Sequence, residues 1–506
     1  MLSPRAASMA ITLVAALTAP SAVAVDVPGV PGRWSISGYG EGLEVLRTDR
    51  ATEQQHPEGI LNVALTGDVH QNLRFFLETR TLLGGTPRHA SGGLYNLSDT
   101  FQNLSPSVEV TEGYADLHLP RLDVRVGKQR FAWGGLDFSP PTDVINPRAW
   151  SDPFMTQEHD AKIGVPALRA SYYPDHVPEQ LATEASLTVV WVAVPIPFRF
   201  PLPGERWFPS TIVPRGLVIP RNAVGRGLPP FRITVAPRLR AANRPPPQQL
   251  DEGAVALRAN GVHKPVDWSL VYYDGPETMP AFDFSTTAFA PDPTNLARLA
   301  SVQVVRPRFG RIQLVGAGAS TALGGFTVRA EAAYGRDRLL PRRVEDLTTF
   351  ENILRAVGGA SGAARVFGRL GRGRRVHLDL GDLFVARDSV MWGVGADYRW
   401  RGWMPLIQVN QTLILDNRIP LLIDDRDTAL LANLRRAFLA ERLMVEVACI
   451  QGLVRSYTAL IPAVTYNVTD DLRVKIGFLM LAGTRRSPIG QYHDNDETFA
   501  QLRYSF

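Results

Sequence analysis

Cysteine is nearly absent from this 506-residue sequence, which contains only Cys449. One thiol excludes an internal disulfide framework, a cysteine-rich zinc site, an iron–sulfur cluster and the two-cysteine attachment of a c-type haem. Lysine is also scarce, because arginine supplies 50 of the 54 basic residues. The formal net charge of +5 is small for this length, so the composition does not indicate a nucleic-acid partner.

Long apolar runs are missing beyond the N-terminus. Residues 1–24 combine Arg5, an apolar run over 9–17 and a small-residue ending at Ala24, which predicts a signal peptide cleaved before Val25. No later stretch approaches the roughly 18 uninterrupted apolar residues that a membrane-spanning helix needs. We therefore expect an exported chain that is either free in its compartment or inserted in a membrane as strands.

Alternation of apolar and polar residues is the dominant pattern. In 60–70 and 73–80, apolar side chains occupy every second position, and the short turn Gln71-Asn72 separates the two segments. Such a pair predicts a β-hairpin with one charged face. The same period of two recurs in 113–126, 326–334, 390–400 and 472–480.

Short turns and long connections alternate between these segments. This spacing predicts an all-β protein, a transmembrane antiparallel β-barrel of the outer-membrane type with about 20 strands (range 16–22), short periplasmic turns and long extracellular loops. We expect residues 25–506 to form this single barrel. The long loops are predicted near 84–107, 135–161, 195–250, 276–298, 337–361 and 482–497.

The C-terminal segment 498–506 alternates again and ends on an aromatic residue, with Tyr504 and Phe506 on the same face. It resembles the C-terminal strand by which Gram-negative outer-membrane proteins are recognised for insertion. That resemblance implies that Tyr504 and Phe506 form an insertion signal read by the barrel-insertion machinery, and that the protein resides in the cell outer membrane.

A longer motif occupies residues 125–134 (RVGKQRFAWG) and 140–147 (PPTDVINP), and residues 490–497 (GQYHDNDE) precede the last strand. These segments resemble a large, poorly characterised proteobacterial family of porin-like outer-membrane barrels, although Lys128 stands where arginine is usual. The resemblance implies the fold, the compartment and a transport-like role. The three prolines of 140–147 predict a stiff loop, which either holds a fixed pose inside the pore or packs on the rim.

Strand phase divides the charged residues between two faces. Extending the alternation of 122–126 puts Lys128 and Arg130 on the lipid side, where long cationic side chains reach headgroup phosphates. Residues of the opposite phase are predicted to face the lumen, where they either pair as structural salt bridges or line a wet path. These candidates are Arg74, Glu78, Arg80, Asp116, Asp123, Arg125, Gln129, Arg329, Glu331, Asp397 and Arg399.

Residues 195–247 carry nine arginines and one acid, Glu205, for a net charge of +8. Arginine suits bidentate contact with phosphate or carboxylate. The segment either lies outside on lipopolysaccharide or folds inward as an anion-attracting constriction. In the second case Arg206, Arg215, Arg221 and Arg226 would line the lumen.

The combined pattern predicts a porin-like channel for passive passage of small or medium solutes. The alternative is a plugged barrel scaffold, or an outer-membrane component of an envelope export or lipid-transfer system with a periplasmic partner. We expect no enzyme activity, catalytic residue, metal or cofactor, because no nucleophile elbow or metalloprotease motif occurs. Expected partners are outer-membrane lipid and lipopolysaccharide, the barrel-insertion machinery and small solutes, with no nucleic acid.

Overall fold

The computed structural model consists mainly of long β-strands. The structure describes residues 23–25, 31–47, 58–84, 107–149, 154, 161–198, 206–209, 217–219, 231–234, 240–241, 253–294, 298–343, 358–378, 384–416 and 418–506. Among these residues, no helix is long and apolar enough to cross a membrane. Eighteen strands form one closed sheet in the described chain.

The barrel strands are numbered here in chain order. They are β1 (Arg33–Arg47), β2 (Glu58–His70), β3 (Leu73–Gly84), β4 (Ser107–Leu119), β5 (Leu122–Gln129), β6 (Val165–Tyr172), β7 (Glu184–Val192), β8 (Ala254–His263), β9 (Val266–Pro276), β10 (Arg311–Leu323), β11 (Phe326–Pro341), β12 (Phe384–Tyr398), β13 (Trp403–Ile414), β14 (Arg426–Phe438), β15 (Leu443–Gly452), β16 (Tyr457–Asn467), β17 (Leu472–Gly483) and β18 (Glu497–Ser505). A further strand, Val23–Val25, pairs with the start of β1.

Pairing of the first strand with the last closes the sheet. Each barrel strand is antiparallel to the next, and β1 pairs with β18 from Tyr39–Ser505 to Arg47–Glu497. Phe506 continues this ladder through backbone hydrogen bonds with Gly38 at 2.8 and 2.9 Å. Closure satisfies the strand edges that an open sheet would expose to lipid. The predicted outer-membrane type of barrel is confirmed, with eighteen strands rather than about twenty.

The two ends of the barrel differ in their connections. Most connections at one end have two to four residues, such as 71–72, 120–121 and 324–325, and we call it the short-turn end. The opposite, long-connection end carries 130–164, 193–253, 277–310, 342–383 and 484–496. This asymmetry is typical of outer-membrane barrels.

Part of the long-connection end forms a second sheet, called here the rim sheet. Its centre is an antiparallel hairpin of Ala281–Phe289 and Arg298–Arg308, and Val376–Leu378 pairs with the first of these strands. The long connection predicted near 276–298 spans 277–310 between two barrel strands, and it contains strands that pair outside the barrel. A helix, α1 (Gly359–Leu370), precedes Val376.

Two local irregularities disturb the predicted alternation at the end of β5. The β3–β4 register shifts between Glu78 and Thr79, and Gly127 has φ +135°. Lys128 is consequently only 3% exposed, and its ammonium donates to the Val110 carbonyl at 2.6 Å. The predicted lipid-side position of Lys128 is wrong, because the positive φ of Gly127 and the neighbouring bulge in β4 disturb strict alternation.

Arg130 was predicted on the lipid side as well, and that prediction is also wrong. Its guanidinium is buried and lies 3.1 Å from the Glu78 carboxylate. Its backbone N–H donates to Glu112 Oε1 at 2.8 Å. Arg130 therefore joins β5 to the inward carboxylates of β3 and β4 instead of reaching headgroups.

Replacing Gly127 with alanine tests the importance of its positive φ and of its close approach to β4. A Cβ at Gly127 would collide with the backbone of Gly113 and Tyr114, and φ +135° disfavours any L side chain. We expect G127A to lower the free energy of unfolding by about 1–3 kcal/mol, measured by urea unfolding in lipid vesicles. G40A is the control, because a Cβ at Gly40 meets nothing within 4 Å. Equal stability of the two variants would contradict this account.

Candidate functional site

The inner wall from β6 to β11 is apolar at the long-connection end. Val190 on β7 is fully buried, although Val189 and Trp191 beside it are each 40% exposed on the outer face. Ala256 on β8 shows the same contrast with Val255. These strands are therefore apolar on both faces, and their inner face is covered by protein.

The cover is residues 131–149, called here the inserted segment. This segment follows β5 and folds back into the barrel instead of remaining on the rim. Its buried side chains form one cluster with the wall, which contains Phe131, Trp133 and Ile145 from the segment and Val165, Val190, Ala256, Tyr273, Leu314 and Ala333 from β6 to β11.

Polar residues of the PPTDVINP motif hold the base of the inserted segment. Asn146 Oδ1 accepts from the Phe131 backbone N–H at 2.6 Å, and its amide donates to the Ile163 carbonyl at 2.8 Å. Asp143 lies 2.7 Å from Lys162 Nζ. These contacts tie the two ends of the segment together, so the motif residues have a structural role in fixing its pose.

Glu331 on β11 is the main polar anchor of the inserted segment. One carboxylate oxygen accepts from the backbone N–H groups of Gly135 and, at 3.1 Å, Leu136. The other accepts from the Thr142 hydroxyl at 3.0 Å. A buried carboxylate is stable when such donors satisfy it, so Glu331 and the segment depend on each other.

A second anchor lies two strands farther round the wall. Gln408 on β13 accepts from the Asp137 backbone N–H at 3.1 Å and donates to the Phe138 carbonyl at 2.7 Å. Asn410 donates to the same carbonyl at 2.8 Å. Since β13 is eight strands away from β5 in a barrel of eighteen, the inserted segment crosses to nearly the opposite wall.

Glycines in the wall make room for this crossing. A Cβ at Gly316 on β10 would lie 2.7 Å from the Thr142 methyl group. A Cβ at Gly393 on β12 would lie 2.6 Å from Leu136. The wall is therefore complementary in shape to the inserted segment as well as in polarity.

A second segment, residues 206–209, also contacts the inner side of the barrel and is called here the mouth segment. Arg206 pairs with the buried Glu497 of β18 and donates to the Asn495 carbonyl at 2.7 Å. Trp207 packs against Tyr492, with ring centroids 5.4 Å apart, and against Leu479 on the inner wall. Burial raises the pKa of the Tyr492 phenol, which therefore stays neutral.

The mouth segment belongs to the connection between β7 and β8, which lie seven to nine strands from β17 and β18 around the closed barrel. It therefore reaches the far side of the long-connection mouth. Of the arginines predicted to line the lumen, the structure places Arg206 against the inner wall. Arg215, Arg221 and Arg226 lie outside the described residues, so their role stays a prediction.

Charged residues concentrate on the remaining arc, the inner face of β17, β18 and β1 to β6, called here the charged arc. Asp116 binds Arg125 through two hydrogen bonds at 2.6 and 2.7 Å. Arg74 is 2.6 Å from Asp68, and Asp123 is 2.9 Å from His118 Nδ1. Much of the charge predicted for the lumen is therefore paired across neighbouring strands.

Other predicted lumen residues have equally specific partners. Glu78 accepts from the Thr111 hydroxyl at 2.5 Å, Arg80 donates to the Tyr39 hydroxyl at 3.3 Å, and Gln129 donates to the Ala167 carbonyl at 2.8 Å. Arg329 lies 2.6 Å from Asp397 and 3.2 Å from Asp137 of the inserted segment. Arg399 is exposed beyond the end of β12.

Arg473 on β17 and Arg503 on β18 stand directly opposite each other in the register. Arg503 stacks on Tyr39, 3.5 Å from the ring centroid, and lies 3.7 Å from Glu41. Arg473 makes no hydrogen bond or ion pair with any residue in the described part of the chain. Two facing guanidinium groups near one carboxylate leave a positive local balance in this part of the lumen.

The inserted segment was the main feature that periodicity did not identify. Its signal is present in segments such as 187–192 and 254–257, where apolar residues occupy both phases of a strand. A strand that contacts lipid on one face and water on the other alternates, whereas one that is apolar on both faces needs an internal cover. The sequence alone does not identify which loop supplies that cover.

The closed sheet, its asymmetric ends and its partly filled lumen define a porin-like β-barrel of the outer-membrane type. The chain belongs to a family described as "Protein of unknown function (DUF1302)", whose model matches residues 84–392, more than half of the chain. That match includes the inserted segment and the wall strands that bind it. No curated protein matches the chain.

Several solved porins show weak overall similarity. An outer-membrane channel, DcaP of Acinetobacter baumannii, has 9% identity and a TM-score of 0.39, with coverage of 96% of this chain and 100% of its own. Salmonella typhi OmpF in complex with daunomycin has 9% identity and a TM-score of 0.38 over the same shares. A mutant of the Rh. blastica porin has 12% identity and a TM-score of 0.37, with coverage of 94% and 100%. The fold assignment rests on the strand pairing itself.

Replacing Glu331 with glutamine tests the anchoring of the inserted segment. The glutamine side chain keeps one acceptor oxygen, but its NH₂ group would face either the Gly135 and Leu136 N–H groups or the Thr142 hydroxyl, which are donors to Glu331. We expect E331Q to lose about 1–3 kcal/mol of unfolding free energy and to make trypsin cleave faster after Arg148, as measured by mass spectrometry of timed digests.

The matched control is E446Q. Glu446 accepts from Asn433 at 2.8 Å on a wall region away from the inserted segment. Its replacement is expected to leave cleavage after Arg148 unchanged. Equal protection of that bond in E331Q and wild type would show that Glu331 does not hold the segment.

Proposed function

We propose that the protein is an outer-membrane channel for passive diffusion of small or medium solutes, in which the inserted segment narrows the lumen. The observation that carries this proposal is the division of the inner wall. The inserted segment covers an apolar region from β6 to β11 and reaches β13 through polar contacts, whereas the charged arc retains polar side chains that are partly exposed within the barrel. Charged side chains that remain partly exposed inside the barrel are stable where the wall is in contact with water, because an unsolvated charge is costly.

The proposal assigns solute passage to the charged arc and no bond chemistry to any residue. His493 and Asp494 lie 3.1 Å apart in the 484–496 connection, but the His493 ring also contacts the Gly490 carbonyl at 3.1 Å.

The direct test is conductance of the purified full chain in planar lipid bilayers. We expect stepwise conductance in wild type, and larger, noisier steps in E331Q because a released inserted segment admits more ions. E446Q is expected to retain wild-type steps. If neither wild type nor E331Q gives conductance steps in preparations shown to be folded, the channel proposal is contradicted.

A plugged scaffold for an export or lipid-transfer system is the second candidate. It is favoured by the inserted and mouth segments, which approach the wall from two different connections and together contact β6 to β13 and β16 to β18. A stoichiometric periplasmic protein that co-purifies with the barrel, together with electrical silence, would support this alternative over diffusion.

Ion selectivity is expected to depend on the Arg473–Arg503 pair. Arg206 is less suited to this role because Glu497 pairs with it. Replacing Arg473 with glutamine removes a lumen charge that lacks a described partner, so the reversal potential in a low-salt gradient should shift toward cation selectivity. The shift should shrink at high salt, where the screening length falls to about 3 Å.

The control for this measurement is the double variant D68N/R74Q. It removes an ion pair from the same charged arc without changing the net charge. Its reversal potential is expected to stay close to wild type. A reversal potential that is unchanged in R473Q while conductance persists would exclude Arg473 from selectivity and leave the channel proposal standing.

A further inference from the structure

A dense group of exposed arginines lies at the long-connection end, in the connection between β11 and β12. Helix α1 and the turn after it carry Arg365, Arg369, Arg372, Arg374 and Arg375, and all five side chains are exposed. We call this group the arginine turn. Residues 358–378 contain no aspartate or glutamate.

The turn has a defined conformation. Leu370 at the end of α1 is 1% exposed and anchors the helix. Gly373, with φ +67°, allows the chain to reverse, and the Arg374 backbone N–H donates to the Arg369 carbonyl at 3.0 Å. Arg375 lies 5.7 Å from the ring centroid of Phe289 in the rim sheet. The arginines are therefore presented from a fixed backbone.

The electrostatic balance of the arginine turn is unfavourable without a partner. Arg365 and Arg369 are four residues apart in α1, a spacing at which like charges repel. None of the five forms an ion pair with a carboxylate of the described residues. The negative end of the helix dipole offsets only part of this charge, because it equals roughly half an elementary charge.

The chemistry of the group indicates phosphate. Guanidinium is planar, always charged and able to bind phosphate oxygens through two parallel hydrogen bonds. Several such groups on one turn favour a ligand that carries more than one phosphate, since linked contacts bind more tightly than separate ones. In an outer membrane, such a ligand adjoins the long-connection end as the phosphorylated headgroup of lipopolysaccharide.

We propose that the arginine turn binds the phosphate groups of lipopolysaccharide. The site lies on α1 and the turn that leads into the rim sheet, and the proposal does not depend on whether the barrel conducts. Its function would be to fix the rim sheet and α1 against the surrounding outer leaflet. Binding should weaken with ionic strength because the contacts are exposed.

The test compares variants of the full chain in detergent at low ionic strength. We expect R369Q/R372Q/R374Q to bind purified deep-rough lipopolysaccharide at least roughly tenfold more weakly than wild type, since each arginine near an anionic headgroup adds favourable energy. R374E alone should also weaken lipopolysaccharide binding. This single variant keeps the proposal testable if the triple variant fails to fold. Chemical dephosphorylation of the lipopolysaccharide should remove the difference between wild type and variants.

The matched control is R121Q/R401Q/R442Q, which removes three exposed arginines at the short-turn end and should bind lipopolysaccharide like wild type. Three results would overturn the proposal. The first is wild-type affinity for lipopolysaccharide in both arginine-turn variants. The second is a loss of affinity in the control variant as large as that in the arginine-turn variants. The third is a wild-type affinity for phosphatidylglycerol vesicles equal to that for lipopolysaccharide, which would indicate a generic anionic-lipid surface.

Discussion

The structure depends on one constraint, the need to cover the apolar inner wall of β6 to β11. These strands face lipid on one side, and on the other they present Val165, Val190, Ala256 and Leu314 to the lumen. Leaving such an arc in water costs roughly 25 cal/mol for each Å² of apolar surface. The inserted segment removes this cost, and Glu331 and Gln408 then fix where the segment lies.

Covering one arc leaves the rest of the lumen with a different character. Arg125, Asp116 and Arg74 remain on the charged arc with partners on neighbouring strands, and Arg473 adds a positive charge without a described partner. The apolar region therefore supports the inserted segment, and in the proposed channel the charged arc would be the wall in contact with water. The proposed channel requires both, because an uncovered barrel of eighteen strands would be wide and unselective.

Much of the fold was predictable because β-strand periodicity is local. Alternation in β2 and β3 identifies their lipid and lumen faces directly, and Arg74 and Glu78 follow it. Lys128 does not, since the bulge in β4 and the positive φ of Gly127 disturb the alternation within a few residues. The contact of Glu331 with Gly135 joins residues far apart in the chain, and nothing local to either residue specifies it.

Thiol accessibility in the lumen tests the central claim most directly. In a Cys449→Ser background, a cysteine replacing the fully buried Ala256 should resist a small membrane-impermeant thiol reagent, whereas a cysteine replacing Arg169 on the charged arc should react. Adding E331Q should make the Ala256 position reactive by releasing the inserted segment. If the cysteine at 256 reacts as fast as the one at 169 in the otherwise native barrel, the inserted segment does not cover the wall.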